Sequence, residues 1–329
     1  MTDQQHNGSP AISADGLVKR YPGDVTALDG ISFTVESGTI FGLLGPNGAG
    51  KSTTVKILTT LSRPEKGSAT VAGVDVIRHP ERVRRVIGSV GQRIAVDPEA
   101  TGRENLTLEG RLHGLRGTAL RSRVDELLGR FALGAAANRV ARTYSGGMQR
   151  KLDVAMGLVH RPRVLFLDEP TTGLDPEARA DLWAEIARLT RSDGLTILLT
   201  THYLEEADRL ARRLAIVDRG RIVAEGTSDE LKADLRGDAI HVELRETETA
   251  GRATSVLAGV AGLREPTLDG RVLRARAEHG ASAVPAVLSA LELAGVGVAS
   301  VTVARPSLDD VYLRHTGRAF RHENQESYA

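Results

Sequence analysis

A chain of 329 residues with 41% hydrophobic and 26% charged side chains can bury a large core and is too long for one ordinary domain, so two domains are expected. Its 43 lysine and arginine residues against 42 aspartate and glutamate leave a net charge of +1, which excludes a general polyanion binder. With no cysteine, disulfides, thiolate nucleophiles and zinc-thiolate sites are excluded, and a reducing cytoplasm suits the chain.

Residues 1–11 are polar, without an apolar core or leading basic residues, and are expected to form a disordered tail and not a signal peptide. From 12 to about 235, short β-type runs alternate with longer helical runs, the pattern of a layered α/β domain with a mainly parallel sheet. Strands are expected at 27–35, 39–44, 68–71, 86–90, 164–167, 196–199 and 214–217. Several are continuously apolar, as strands covered on both faces should be. Residues 101–160 contain three helical stretches (104–113, 120–131 and 146–160) and no convincing strand, so they read as a helical insertion. The clusters Arg78, Arg82, Arg84, Arg85 and Arg111, Arg116, Arg121, Arg123 read as solvated helix faces. After 235 the order is strand 240–244, helix 250–263, two strands around the Asp269-Gly270 turn, helix 283–294 and strand 296–303. This βαββαβ order suits a small ferredoxin-like α+β accessory domain over 238–316. A last helix is expected from Ser307, where Asp310 stands three residues after a capping hydroxyl, before a solvated tail at 317–329. The longest charge-free stretch, 37–50, falls short of the roughly 18–20 apolar residues of a membrane helix, so no span is expected.

Gly45-Pro46-Asn47-Gly48-Ala49-Gly50-Lys51-Ser52-Thr53 lies between an apolar strand and an apolar-periodic helix, the context that a G-x-x-x-x-G-K-[ST] phosphate loop requires. Glycines let backbone N–H groups wrap a phosphate, and the helix that follows presents its positive end to the same anion. Lys51 adds a cation for the outer phosphates, and Ser52 offers a hydroxyl to Mg²⁺. At 164–169 four apolar residues end in Asp168 and Glu169, so a buried strand delivers two carboxylates at its tip. Beside a phosphate loop these suit Mg²⁺ binding by Asp168 and polarisation of an attacking water by Glu169. Ser145 is the natural N-cap of a helix that opens with Gly146 and Gly147, which weaken a helix start and leave its N–H groups open to a second anion.

The segment Ser145-Gly146-Gly147-Met148-Gln149, upstream of Asp168-Glu169 in a chain with a Lys51 phosphate loop, resembles the signature of ABC ATPases. That resemblance implies the ABC cassette fold: a P-loop NTPase core with a helical subdomain. It also implies roles for further residues. Gln92 corresponds to the Q-loop glutamine that contacts the metal and senses a membrane partner, and Asp175 lies in the D-loop. His202 corresponds to the switch histidine at the γ-phosphate, and Tyr21 to the aromatic that stacks on adenine. The ending Pro306-Ser307-Leu308-Asp309-Asp310-Val311-Tyr312-Leu313 is similar to that of daunorubicin-resistance-type ATP-binding proteins, which drive drug or lipid exporters. Met148 and Tyr144 depart from the commoner Gln and Leu of the signature. The resemblance implies ATP and Mg²⁺ as ligands and a head-to-tail homodimer in which each signature meets its partner's ATP. It also implies a separate integral-membrane permease and a place at the cytoplasmic face of the membrane. Two rivals stand beside it. A soluble ABC ATPase acting on nucleic acid or ribosomes would usually carry two cassettes, coiled coils or zinc motifs, which this chain lacks, so no nucleic-acid partner is expected. A P-loop GTPase would carry an Asn-Lys-x-Asp motif, also lacking here.

Overall fold

The computed structural model describes residues 9–235, 237–245 and 250–317; of the expected tails, 1–8 and 318–329 lie outside the described residues. The chain divides into two compact units, Met1–Glu225 and Gly226–Ala329.

The first unit runs β1 (Ile12–Tyr21), β2 (Val25–Val35), β3 (Ile40–Leu44), α1 (Lys51–Leu58), β4 (Lys66–Val71), β5 (Val74–Asp75), α2 (Pro80–Arg84) and β6 (Ile87–Val90). It continues α3 (Gly102–Leu112), α4 (Gly117–Arg130), α5 (Gly146–Gly157), β7 (Val164–Asp168), α6 (Pro176–Asp193), β8 (Thr196–Thr201), α7 (Leu204–Leu210), β9 (Arg213–Asp218) and β10 (Arg221–Gly226). The expected single sheet is two. One has the order β10-β9-β3-β8-β7-β6, and its β9-β3-β8-β7-β6 pairs are parallel. The expected strands 27–35 and 68–71 belong instead to an antiparallel sheet of order β2-β1-β4-β5. The pattern conceals β1 because Asp15-Gly16 reads as a turn; the strand absorbs it as a bulge between Ala14 and Leu17, with Gly16 at φ 58°.

Side-chain alternation distributes the core. On β7, Val164 and Phe166 face the cluster shared with β1, β2, β4 and α1, while Leu165 and Leu167 face the cluster under α3 to α6. Phe33 stacks on Phe41 between the two sheets at 5.2 Å. α3 is opened by a capping box of Thr101 and Glu104, and α6 by Asp175 with Pro176 behind it, ending at Gly194 in a left-handed turn. Where α5 crosses β6 the backbones nearly touch, since a Cβ on Gly88 would lie 2.1 Å from the Gly157 carbonyl oxygen. Arg123 corrects the expectation of a solvated face: it is buried, donating to the carbonyls of Leu158 at 2.5 Å and Val159 at 3.1 Å.

The second unit contains α8 (Ser228–Ala233), β11 (Asp238–Leu244), α9 (Ala250–Ala258), β12 (Leu263–Asp269), β13 (Val272–Ala277), α10 (Gly280–Leu293), β14 (Val298–Ala304) and α11 (Leu308–Thr316). The unit begins before the expected 238 because α8 packs on α11. The sheet order β12-β13-β11-β14, with every pair antiparallel, is the ferredoxin-like arrangement. Ser307 and Asp310 form the capping box that opens α11. Among the described residues no helix is long and apolar enough to cross a membrane.

Phe166 is fully buried beneath the strand tip that carries Asp168. Phe166→Ala is expected to destabilise the fold by about 3–5 kcal/mol, read as a lower urea midpoint.

Candidate functional site

Parallel pairing brings the site together. Leu44 lies opposite Thr201 and Asp168 opposite Thr200, so the loop after β3 and the tips of β7 and β8 leave the sheet at one level. β6 ends beside them, with Val90 opposite Leu167, and leads to the exposed Gln92.

Residues 45–50 turn the chain from β3 into α1. Gly50 takes φ 111°, and a Cβ there would lie 2.5 Å from the Ala27 carbonyl oxygen, so only glycine closes this turn. No side chain caps α1, which leaves the first-turn N–H groups to an anion. Lys51 is buried at the head of the helix; its Nζ donates to the carbonyls of Gly45 at 2.6 Å and Pro46 at 3.1 Å. The same ammonium stands 3.1 Å from Oε1 of Glu169. Ser52 Oγ donates to Asp168 Oδ1 at 3.1 Å, and that oxygen also accepts from Thr200 Oγ1 at 2.6 Å. Asn47 and Gly48 form the exposed rim of the loop, Ala49 is buried, and Thr53 follows on the helix.

Glu169 sits at φ 50°, a left-handed conformation that costs a side-chain-bearing residue about 1–3 kcal/mol. Its N–H donates to the carbonyl and to Oγ1 of Thr200, each at 3.1 Å, which holds the turn. On the carboxylate, Oε2 accepts from Thr172 Oγ1 at 3.4 Å and lies 3.1 Å from His202 Nδ1, close enough for an ion pair but off hydrogen-bond alignment. Burial alone would raise this carboxyl; the neighbouring His202 ring and Lys51 ammonium outweigh it and hold the pKa at about 2. Lys51, Ser52, Asp168, Glu169 and His202 therefore form one constellation.

The other expected residues stand apart from it. Ser145 caps α5, its Oγ accepting from Met148 N at 3.2 Å, and Gln149 Nε2 donates to the Ala141 carbonyl at 3.2 Å. The two signature glycines differ. A Cβ on Gly146 would meet only Leu174 at 3.9 Å, whereas one on Gly147 would lie 2.7 Å from Ala178 Cβ on α6. Gly147 is thus needed for packing, and Gly146 leaves the helix start open. Tyr144, the departure from the commoner Leu, is buried and donates to the Ala136 carbonyl at 2.7 Å. Asp175 caps α6, accepting from Ala178 N at 2.8 Å. Tyr21 ends β1 on the antiparallel sheet, half-buried, with the Lys19 ammonium 5.6 Å from its ring centre.

The sequence pattern did not single out three further groups: Thr200, which braces both carboxylate residues, Glu206 and Arg150. Glu206 is fully buried behind the site, accepts from Thr171 Oγ1 at 2.9 Å and Trp183 Nε1 at 2.8 Å, and has its carboxyl raised by burial. Arg150 is buried on α5; beside Lys151 and three residues before Asp153, it carries no signal in the sequence that sets it apart from an exposed charge.

The donor chemistry fits phosphate with Mg²⁺. A hydroxyl and a carboxylate, Ser52 and Asp168, meet at one point, and the described residues hold no group of three or more His, Cys, Asp or Glu that would cage a metal. Mg²⁺ takes few protein ligands and keeps water and phosphate oxygens, so this sparse set suits it.

Residues 28–172 match the family model described as ABC transporter, and residues 226–316 the one described as ATP-binding protein DrrA1-3-like, C-terminal domain. The daunorubicin resistance ATP-binding protein DrrA3 of Streptomyces coeruleorubidus is 50% identical over 93% of this chain and 96% of its own length. The daunorubicin/doxorubicin resistance ATP-binding protein DrrA of Streptomyces peucetius is 44% identical over 93% and 92%. A solved ATP-binding subunit of an ABC transporter, 30% identical, matches with a TM-score of 0.61 over 68% of this chain and 93% of that one.

Two expectations follow from the geometry. Because Glu169 is held below the ordinary 4.5, its charge stabilises the fold above that pH, and the contribution is lost as pH falls toward about 2. The stability gap between the parent and Glu169→Gln, from urea melts at stepped pH, should narrow across that window. Gly147→Ala should destabilise by about 1–3 kcal/mol through overpacking against Ala178, while Gly146→Ala leaves the melting temperature unchanged or slightly higher.

Proposed function

The chain belongs to the ATP-binding proteins of ABC transporters, in the daunorubicin-resistance group, and on that footing we propose that it hydrolyses Mg²⁺-ATP to drive export of a drug, antibiotic or lipid-like compound through a separate permease. The observation that carries the reading is the convergence of Lys51 and Ser52 with Asp168 and Glu169, at 3.1 Å in each case.

The residues divide the work. Gly45, Pro46 and Ala49 shape the loop, the N–H groups of Gly45 and Ala49 being tied to the carbonyls of Thr201 and Pro46, while those of Asn47, Gly48, Gly50 and the start of α1 bind phosphate oxygens, with Lys51 and Thr53 beside them. Ser52, Asp168 and Gln92 hold Mg²⁺, which when bound offsets the charge on the phosphates. An incoming phosphate competes with Glu169 for the Lys51 ammonium and so frees the carboxylate to orient the attacking water. His202 keeps Glu169 in place and faces the γ-phosphate, and Tyr21 stacks on adenine. Ser145, Gly146, Gly147, Met148 and Gln149, with Asp175, act on the nucleotide of a second copy, so the working form is a head-to-tail homodimer with two equivalent ATP sites. Opening after hydrolysis moves the permease docked near Gln92 at the cytoplasmic face of the membrane. The 44–50% identity to drug-resistance ATP-binding proteins over 93% of the chain, together with the match of the C-terminal domain, favours this over a soluble ABC ATPase acting on nucleic acid or ribosomes.

Purified chain is expected to hydrolyse ATP only with Mg²⁺. Glu169→Gln should lower kcat by about 10²–10⁴-fold with ATP binding retained, and Lys51→Ala should weaken ATP binding. Turnover by Glu169→Gln at the parent rate overturns the assignment. Co-expression with its membrane permease should confer drug efflux that Glu169→Gln abolishes.

A further inference from the structure

Arg150 is 3% exposed, and each of its five N–H groups meets one acceptor. Nε donates to the Pro170 carbonyl at 2.7 Å, and Nη1 to the Gly91 carbonyl at 2.7 Å and to Asp153 Oδ2 at 2.9 Å. Nη2 reaches the carbonyls of Asp168 at 3.4 Å and Glu169 at 3.3 Å. Asp153, one turn along α5 and equally buried, turns its other oxygen to the Ala95 N–H at 3.2 Å.

These bonds bracket two segments. Gly91 and Ala95 flank Gln92, and the carbonyls of Asp168, Glu169 and Pro170 form the backbone on which Glu169 takes its left-handed turn. Thr200 holds that turn from the N–H side; Arg150 holds it from the carbonyl side. Burial works against both charges of the pair, and each partner offsets the other. A lysine would carry the charge but present three donors from a single atom, too few and too close together for acceptors on two segments.

We propose that Arg150, oriented by Asp153, is a positioning residue that sets the Glu169 carboxylate in register with the segment carrying Gln92, from the same helix that Ser145 caps. The proposal rests on the ATPase reading above. A displacement of Gly91 to Ala95 is thereby passed to the Glu169 backbone through one guanidinium.

The test uses the full chain and the variants Arg150→Met, Arg150→Lys and Asp153→Asn, with kcat, KM and the ATP-induced shift in melting temperature measured for each. Arg150→Met is expected to lose about 10- to 100-fold in kcat, the scale of a small misplacement of a catalytic group, while the ATP concentration giving half the thermal shift stays close to the parent value. Arg150→Lys should recover little. Asp153→Asn, which keeps one oxygen and turns its NH2 on either the Ala95 N–H or the guanidinium, should lose a smaller part of kcat than Arg150→Met, again with ATP binding close to the parent. Should Arg150→Met fail to fold, the same kcat-against-KM split in Arg150→Lys and Asp153→Asn decides. Losses in ATP affinity and kcat of equal size mark a structural role and overturn the proposal, as does unchanged kcat. A parent chain that binds ATP without hydrolysing it overturns the ATPase reading itself, and the proposal with it.

Discussion

The parallel register of β3, β8 and β7 is the constraint on which everything else rests. Leu44 faces Thr201 and Asp168 faces Thr200, so three strands stop at one level. Only then can side chains as short as Ser52, Asp168 and Thr200 meet within 3.1 Å. A slip of one residue in β7 would put Asp168 in the place of Leu167, on the opposite face, and Glu169 in the place of Asp168. The apolar strands set that register: alternate residues of β7 are committed to two separate cores.

On this frame the site concentrates charge where water is scarce. Lys51, Asp168, Glu169, Arg150, Asp153 and Glu206 are all buried. Isolated, each would carry a desolvation penalty of several kcal/mol, and together they are tolerable because their partners are built in. Most of those partners are backbone carbonyls and hydroxyls. Neutral dipoles can be relinquished to a phosphate without stranding a countercharge, which suits a loop whose lysine has to change partners. Full charges meet in the Arg150–Asp153 pair and in the Lys51–Glu169 contact, and in the second ligand and fold compete for the same ammonium.

Local features of this arrangement were legible in the sequence. A phosphate loop, a strand ending in two acids and a capped helix with two glycines are short words whose chemistry is contained in adjacent residues, and the structure places the first two against each other. The ferredoxin-like order of the second unit was legible for the same reason, since each element announces itself by periodicity. What could not be read depends on distant partners. β1 was hidden because Asp15-Gly16 is a turn signal in isolation and a bulge only when β2 and β4 flank it. Arg123 and Arg150 look like surface charges until carbonyls far along the chain surround them. Gly147 has two explanations, an open helix start or contact with Ala178, and only the packing of α5 on α6 separates them.

The crossing of α5 and β6 has a mechanical meaning. At Gly88 the strand backbone meets the Gly157 carbonyl directly, and beside it Val90 packs on Gly157, which has no side chain of its own. Side chains are the compliant layer of a protein interior, able to change rotamer and take up a displacement; two backbones in contact have no such slack. The contact ties α5, which Ser145 caps at its other end, to β6, which leads to Gln92, with little room for either to shift alone.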